Sequence, residues 1–432
     1  MRKILVITYY WVPSGGAGVQ RWLKFVKYLR NFEWEPVVYT PENPELPAVD
    51  YSLESDIPEK LTVLKTRIWE PYAAYKKFVG RKKEDKIKSG FLSEKKNPSL
   101  TEKVSVWIRG NLFIPDARKF WIKPSIKFLS QWLSKNHVDA IVSTGPPHSM
   151  HLIARAVHQK FNIPWLADFR DPWTNIDFYD ELMLTGFGNR RHHKLEKTVL
   201  TEANRVIAVS EGMADQFKTI VNRDYQVITN GYDLPEGSLP KSGNNLKFVL
   251  AHIGSLVPAR NPENFWKALQ QIIIAKPEFG GDLEILLVGQ IDYTVKESLA
   301  GFNLLDYTTI IPYLPHNEVT GVQRSSGILL LFINNTANAG MVVTGKIFEY
   351  LVSGRPILCI GPRDGDAAQI ISETHTGISV GHEDLEGIRE AIVSFYERFK
   401  SGMLKSEATN LEKYSRYQLT RRLAELLNEM VS

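Results

Sequence analysis

The sequence of 432 residues predicts an α/β fold with two doubly wound domains, each a parallel sheet covered by helices on both faces. Three observations lead there. Strand-like runs such as Lys3–Tyr9 and Phe248–Ile253 are apolar along their whole length instead of alternating, as strands buried on both faces are. Stretches with apolar residues at helical spacing separate them. The pattern stops at LPEGSLPKSGNN, 234–245, which is rich in turn formers and reads as a linker, and then restarts. A chain of this length suits two cores better than one.

Taken in order, the first half offers strands at Lys3–Tyr9, Pro36–Thr40, Thr62–Thr66, Ala140–Ser143, Trp165–Asp168, Val206–Val209 and Gln226–Thr229, with helices at Val19–Asn31 and His151–Phe161. The second half offers strands at Phe248–Ile253, Leu283–Val288, Thr308–Tyr313, Gly327–Ile333 and Pro356–Ile360, with helices beginning near Pro262, Thr344 and Asp364. Arg416–Met430 reads as an amphipathic helix. The expected domains are 1–235, carrying a basic insert around 65–127, then 236–412, and a C-terminal helix in 413–432 packing back on the first domain. Ligands of such sheets bind at the carboxyl ends of the strands, so a central cleft between the two domains is expected.

Bulk properties narrow the function. Cys359 is the only cysteine, which excludes an intramolecular disulfide and a cysteine-rich metal site. MRKILVITYYWVP reads as a buried strand and not a signal peptide, and no run of about 18 apolar residues is present. A cytoplasmic protein is expected. The net charge of +5 is unevenly spread: residues 65–127 hold 17 Lys/Arg against 6 Asp/Glu, interleaved with aromatics such as Trp69, Trp107, Phe113 and Phe120. That combination suits an anionic membrane surface, so the protein is expected to lie peripherally on the inner face of the plasma membrane; nucleic acid is not expected as a partner.

Candidate site residues cluster after strands. PSGGAGVQR, 13–21, follows the first strand; Gly16 can adopt positive φ and opens a helix N-terminus toward a ligand. Its spacing is not the dinucleotide G-x-G-x-x-G, and Tyr39-Thr40 stands where an acid would bind a ribose. STGPPHSMH, 143–151, presents His148 and His151, which either touch substrate or cap and pack the turn. DFRDPW, 168–173, packs Asp168, Arg170 and Asp171 at a strand end; either the arginine pairs with a carboxylate structurally, or one carboxylate orients an acceptor hydroxyl. In the second half, Gly254 and Ser255 form a turn, and Arg260 precedes a helix start, a combination suited to a diphosphate. In TGKIFEYLVSGRPIL, Thr344, Gly345 and Lys346 open a helix, and Glu349 follows one turn later, either clasping a ribose or pairing with Lys346. Asp364-Gly-Asp366 has D-x-D spacing but reads as a turn and helix cap, and no metal site is expected.

These segments together resemble glycosyltransferase family 4 over nearly the whole chain, most specifically in TGKIFEYLVSGRPIL, with ITNGYD, 228–233, similar to another family element. The DFRDPW-like and SGPP-like segments resemble a subgroup making bacterial surface polysaccharides. The resemblance implies the GT-B fold, two Rossmann-like domains, and retaining transfer of a sugar from a UDP- or GDP-sugar to a glycan or lipid-linked acceptor, with no cofactor and no metal. It gives the ribose to Glu349 and the diphosphate to the amides before its helix. The chain departs from the pattern in three places. Met341 stands where the family has a second glutamate, Ser255 where it has an arginine, and Arg260 near its downstream lysine. The family's catalytic-loop histidine falls near Arg170 or Asp171. The alternatives are a catalytically altered scaffold of the same fold or a nucleotide-sugar epimerase.

Overall fold

The computed structural model describes residues 1–46, 49–71, 100–233, 247–312, 314 and 316–432. The linker at 234–245, the part of the basic insert at 72–99 and the end of the strand expected at Thr308–Tyr313 lie outside them. Two compact units are present: residues 1–230 with 416–432, and residues 231–415.

Unit 1 is one parallel sheet of seven strands: β1 (Arg2–Ile7), β2 (Trp34–Pro41), β3 (Thr62–Thr66), β4 (Ala140–Gly145), β5 (Trp165–Phe169), β6 (Arg205–Ala208) and β7 (Gln226–Val227), in the order β3-β2-β1-β4-β5-β6-β7. Its helices are α1 (Ala17–Leu29), α2 (Leu100–Leu112), α3 (Lys119–Leu133), α4 (Ser149–Phe161), α5 (Gly186–Glu202) and α6 (Glu211–Ile220). The strand order reverses between β1 and β4, so the loops after these two strands flank the switch point where such sheets take ligands. α1 buries Val19, Trp22, Leu23, Val26 and Leu29, a spacing of three and four residues that faces one side of the helix to the sheet.

Unit 2 repeats the plan with β8 (Phe248–Ile253), β9 (Leu283–Val288), β10 (Thr308–Ile311), β11 (Ile328–Phe332), β12 (Ile357–Ile360) and β13 (Gly377–Val380), ordered β10-β9-β8-β11-β12-β13. Its helices are α7 (Glu263–Ala275), α8 (Pro277–Asp282), α9 (Tyr293–Gly301), α10 (His316–Ser325), α11 (Lys346–Leu351), α12 (Asp366–Glu373) and α13 (Leu385–Lys400). Successive residues of β8 serve opposite faces. Phe248 and Leu250 join Trp266, Leu269 and Phe395 on one side; Val249 and Ala251 join Ile347, Phe348 and Ile370 on the other. Burial on both faces explains why the strand reads as continuously apolar.

After unit 2 the chain returns to unit 1 as α14 (Arg416–Val431). Its Leu419, Leu423 and Leu427 share the core of Val26, Leu29 and Trp34, and Asn428 accepts from the Trp34 indole at 3.1 Å. Each such leucine contributes about 1.5–3 kcal/mol through burial. The Asp364-Gly-Asp366 turn differs from expectation: Gly365 is the residue before α12, no side chain caps it, and Asp366 is the first helical residue.

Candidate functional site

In unit 2 the switch point lies between β8 and β11, and the loops after these strands are tied together there. Arg260 donates through Nε to the Asn334 side-chain Oδ1 at 2.8 Å, and the Asn335 backbone amide donates to the Ala259 carbonyl at 2.8 Å. Gly254 ends β8 at φ 122°, and its amide bonds the Val288 carbonyl at 2.6 Å. A β-carbon at 254 would collide with the Lys346 amine, so glycine is needed both for the backbone and for the lysine's seat.

Lys346 makes no hydrogen bond or ion pair among the described residues, and it does not pair with Glu349. Burial, then the charge of Arg260, draws its amine down to about 7 despite Glu349. His252, wholly buried at the end of β8, bonds the Leu330 carbonyl through Nδ1 at 3.0 Å, and its Nε2 lacks a partner. Burial and the neighbouring Lys346 keep this imidazole neutral. The Thr344 hydroxyl is also buried without a partner. Two cationic side chains, Lys346 and Arg260, therefore meet at one strand end, a place suited to an anion.

Glu349 stands one turn further along α11, half-buried. Gln323 of α10, almost fully buried, donates to its Oε2 at 3.1 Å and leaves Oε1 open. Gly345, at the mouth of α11, has open space around its α-carbon; Ser255 is exposed beside Arg260, whose Nη1 reaches the Ser255 carbonyl at 3.3 Å. All the donor-side candidates of the sequence except Gly16 thus lie on this one unit. Met341 is buried and brings no carboxylate to it.

Unit 1 sorts its candidates differently. Asp168, fully buried at the end of β5, accepts from the Arg21 Nη2 at 2.9 Å, the Trp22 indole at 2.6 Å and the Thr144 hydroxyl at 2.7 Å. Burial alone would raise its carboxyl; Arg21 and the other donors hold it below the usual carboxylate range. Its acceptor sites are satisfied from inside, so the expected catalytic role of Asp168 is corrected to a structural one. The same arginine donates to the Ile228 and Thr229 carbonyls, both at 2.8 Å, and so ties α1 to the residues just after β7.

His151 is also corrected. It is fully buried behind Gly145, its Nδ1 bonds the Ser143 hydroxyl at 2.8 Å, and burial pulls it down to about 3. His148 retains 8% exposure and stacks on Trp173 with rings 4.3 Å apart, neutral through burial, which is the packed reading. Arg170 and Asp171 remain accessible. The Arg170 guanidinium lies over the Tyr10 ring at 5.7 Å and donates to the Pro146 carbonyl, which brings it to the mouth of α1. A β-carbon at Gly18 would be 2.6 Å from its Nη1. Gly16, exposed at φ 98°, begins that helix without a side-chain cap. Arg170, Asp171 and Gly16 are therefore the unit 1 candidates that a ligand can reach.

Sequence reasoning missed Gln323, His252 and Arg21. Arg21 had a signal, being part of GGAGVQR; Gln323 and His252 had none, since each is defined by a partner far along the chain.

Comparison with known proteins bears on the fold. Residues 90–236 match Glycosyltransferase Family 4. Among curated proteins none matches the chain by sequence. Among solved structures, sucrose-phosphate synthase from Thermosynechococcus elongatus is similar at 13% identity with a TM-score of 0.61, covering 100% of this chain and 99% of its own. WaaG, a glycosyltransferase involved in lipopolysaccharide biosynthesis, is similar at 12% identity and a TM-score of 0.56, covering 98% of this chain and 99% of its own. A TarM variant from S. aureus, in complex with fondaparinux, α-GlcNAc-glycerol and UDP, is similar at 10% identity and a TM-score of 0.59, covering 99% of this chain and 100% of its own. With two switch-point sheets and these structural likenesses, the chain has the GT-B fold, and its segment 90–236 is similar to glycosyltransferase family 4.

Proposed function

We propose that this glycosyltransferase takes a sugar from a UDP- or GDP-sugar with retention of configuration and without a metal ion. The acceptor is a glycan or lipid-linked saccharide of surface-polysaccharide synthesis. The observation that carries the reading is the cationic seat of Lys346, Arg260 and Gly254 at the unit 2 switch point, with Glu349 one turn away.

A diphosphate entering that seat supplies the charge that Lys346 lacks, and the Thr344 hydroxyl and the amide of Gly345 complete its hydrogen bonds. The open Oε1 of Glu349 accepts from a ribose hydroxyl while Gln323 holds the other oxygen. As the bond from sugar to diphosphate breaks, negative charge grows on the leaving group. Lys346 and Arg260 stabilise it there, which replaces a metal ion. On the acceptor side, Arg170 and Asp171 are the groups of unit 1 open to a hydroxyl nucleophile. The basic segment 65–127 holds the protein on an anionic membrane at the cytoplasmic face. No helix among the described residues is long and apolar enough to cross a membrane.

The test is calorimetric titration with UDP and with GDP, followed by a mass-spectrometric screen of nucleotide sugars. Micromolar binding of one nucleotide, lost in Glu349→Ala, is expected. If neither nucleotide binds at 1 mM (roughly −4 kcal/mol), the seat does not serve a nucleotide, and a scaffold that keeps only the fold becomes the better account.

A further inference from the structure

Unit 2 holds a cavity at the amino ends of β12 and β13, the sheet edge opposite the one at which Lys346 and Arg260 meet; Pro356 and Thr376, the residues just before these strands, are among its walls. Its volume is about 100 Å³. That is less than the roughly 150 Å³ that takes a benzene ring, and well under the roughly 300 Å³ at which sites for drug-sized molecules begin. The occupant is therefore a small group. One wall is formed by residues 405–407, and the turn leading to it is well fixed. α13 ends at Gly402, left-handed at φ 72°, with the Met403 amide bonded to the Arg398 carbonyl at 2.8 Å and the Gly402 amide to the Phe399 carbonyl at 3.0 Å. These are the two bonds of a Schellman motif, and they satisfy carbonyls at the negative end of the helix. The Ser406 amide then reaches the Gly354 carbonyl at 3.3 Å.

The lining is rich in donors and positive in charge. Arg398 gives Nη2 to the Lys405 carbonyl at 2.9 Å, and its Nε and Nη1 make no hydrogen bond among the described residues. The Lys405 amine makes neither a hydrogen bond nor an ion pair among them. His375 spends Nδ1 on the Thr409 hydroxyl at 2.9 Å, and its Nε2 has no partner there. The one acid of the lining, Glu407, stands 3.8 Å from Arg398, beyond hydrogen-bond distance, with its side chain 83% exposed. The Ser406 hydroxyl is shut from water and bonds nothing. A buried hydroxyl left in this way is destabilising until a ligand meets it. An apolar occupant would leave these donors unmet, and a cation would face Arg398 and Lys405; an oxyanion satisfies both.

We propose that this cavity binds a phosphate-class oxyanion, either inorganic phosphate or the phosphoryl group of a small metabolite. Arg398 and Lys405 supply the charge, and Ser406 supplies a hydrogen bond from below. The site is separate from the donor seat and does not depend on the nucleotide reading of that seat.

The experiment is calorimetric titration of inorganic phosphate into the full chain at constant ionic strength set with sodium chloride. The variants are Lys346→Met, Arg398→Gln with Lys405→Gln, and Ser406→Asp, each checked for folding by thermal melting. One saturable site is expected that survives in Lys346→Met and weakens about tenfold or more in the double variant, the worth of a hydrogen bond to a charged group. Ser406→Asp brings a carboxylate to the place of the anion. It should end phosphate binding while melting at or above the wild-type temperature in phosphate-free buffer, which separates occupation of the site from loss of fold. A second titration with hexose 6-phosphate distinguishes the sources: tighter binding than inorganic phosphate assigns the site to a metabolite's phosphoryl group, equal or weaker binding to the free ion. Binding that disappears in Lys346→Met and persists in the double variant puts the anion in the donor seat and overturns the proposal. So does the lack of any binding to wild type at roughly 10 mM phosphate, or equal binding by wild type and Ser406→Asp.

Discussion

Replacing Lys346 by methionine is the change for which the structure gives the sharpest expectation. Its amine sits against Gly254 beside Arg260 and titrates at about 7, where an ordinary lysine titrates at 10.5. In the empty site, therefore, half the lysines are neutral at pH 7 and only about 3% carry a proton at pH 8.5. A diphosphate binds the protonated form and restores the proton to the rest. Nucleotide affinity should thus weaken about fifteenfold between pH 7 and 8.5, with proton uptake of about half a proton per binding event at the lower pH and nearly one at the higher. Calorimetry in buffers of different ionisation enthalpy measures both. In Lys346→Met the affinity at pH 6.5 should drop about 10- to 150-fold, the worth of a hydrogen bond to a charged group, and the pH dependence should flatten. Stability moves the other way. A lysine whose folded pKa is depressed costs stability in full below about pH 7, and the cost fades as pH approaches 10.5. The methionine variant should therefore melt higher than wild type at pH 6 and by a smaller margin at pH 10. Wild-type affinity that stays level from pH 6.5 to 8.5, with the variant equally tight, would falsify the seat.

Other expectations follow from the same geometry. Glu349→Ala should weaken nucleotide binding by about 10- to 150-fold, and loss of discrimination between UDP and 2′,3′-dideoxy-UDP would locate the effect at the ribose. Gln323→Leu frees the second carboxylate oxygen of Glu349; KM for the donor should rise about threefold to tenfold while kcat holds, and an equal fall in kcat would instead indicate a disturbed fold. Asp168→Asn leaves Arg21 buried beside a neutral partner; chemical denaturation should show a loss of about 3–5 kcal/mol, with nucleotide affinity retained by unit 2. Because the folded pKa of Asp168 is depressed, its contribution is present above the ordinary carboxylate value near 3.8 and is lost as pH falls below it, so wild type and variant should converge in acid. Arg170→Ala should abolish transfer without affecting nucleotide binding; unchanged turnover removes Arg170 from the acceptor side.

Much of the fold was legible because both sheets are covered on both faces. β8 and β9 coincide with their expected spans, and most other strands shift by one to three residues at an end. α5 escaped notice for a physical reason: its buried face includes Gly188, His192 and Glu196, so the sequence shows no apolar stripe. Glu196 is satisfied by the Thr174 hydroxyl and by the amides of Trp173 and Thr174, which lets an acid stand where a leucine is usual. β13 is a short edge strand, three-quarters of it only half-buried, and lacks the continuous apolar signal. The donor-side residues were legible because they stand in local strand-to-helix turns. Asp168 was misread because the group that neutralises it, Arg21, lies 147 residues away, and local sequence offered Arg170 as its neighbour instead. His148 and His151 looked accessible because turn residues precede them; Trp173 and Ser143 claim their rings.

The return of α14 to unit 1 has a consequence for the birth of the protein. Val26, Leu29 and Trp34 emerge early from the ribosome, but the helix that covers them follows the whole of unit 2. At usual elongation rates the residues between Trp34 and Arg416 take roughly 20–80 s to make. For that time the nascent chain carries an uncovered greasy seat, a natural target for holding chaperones, and any premature stop before Arg416 leaves it permanently bare.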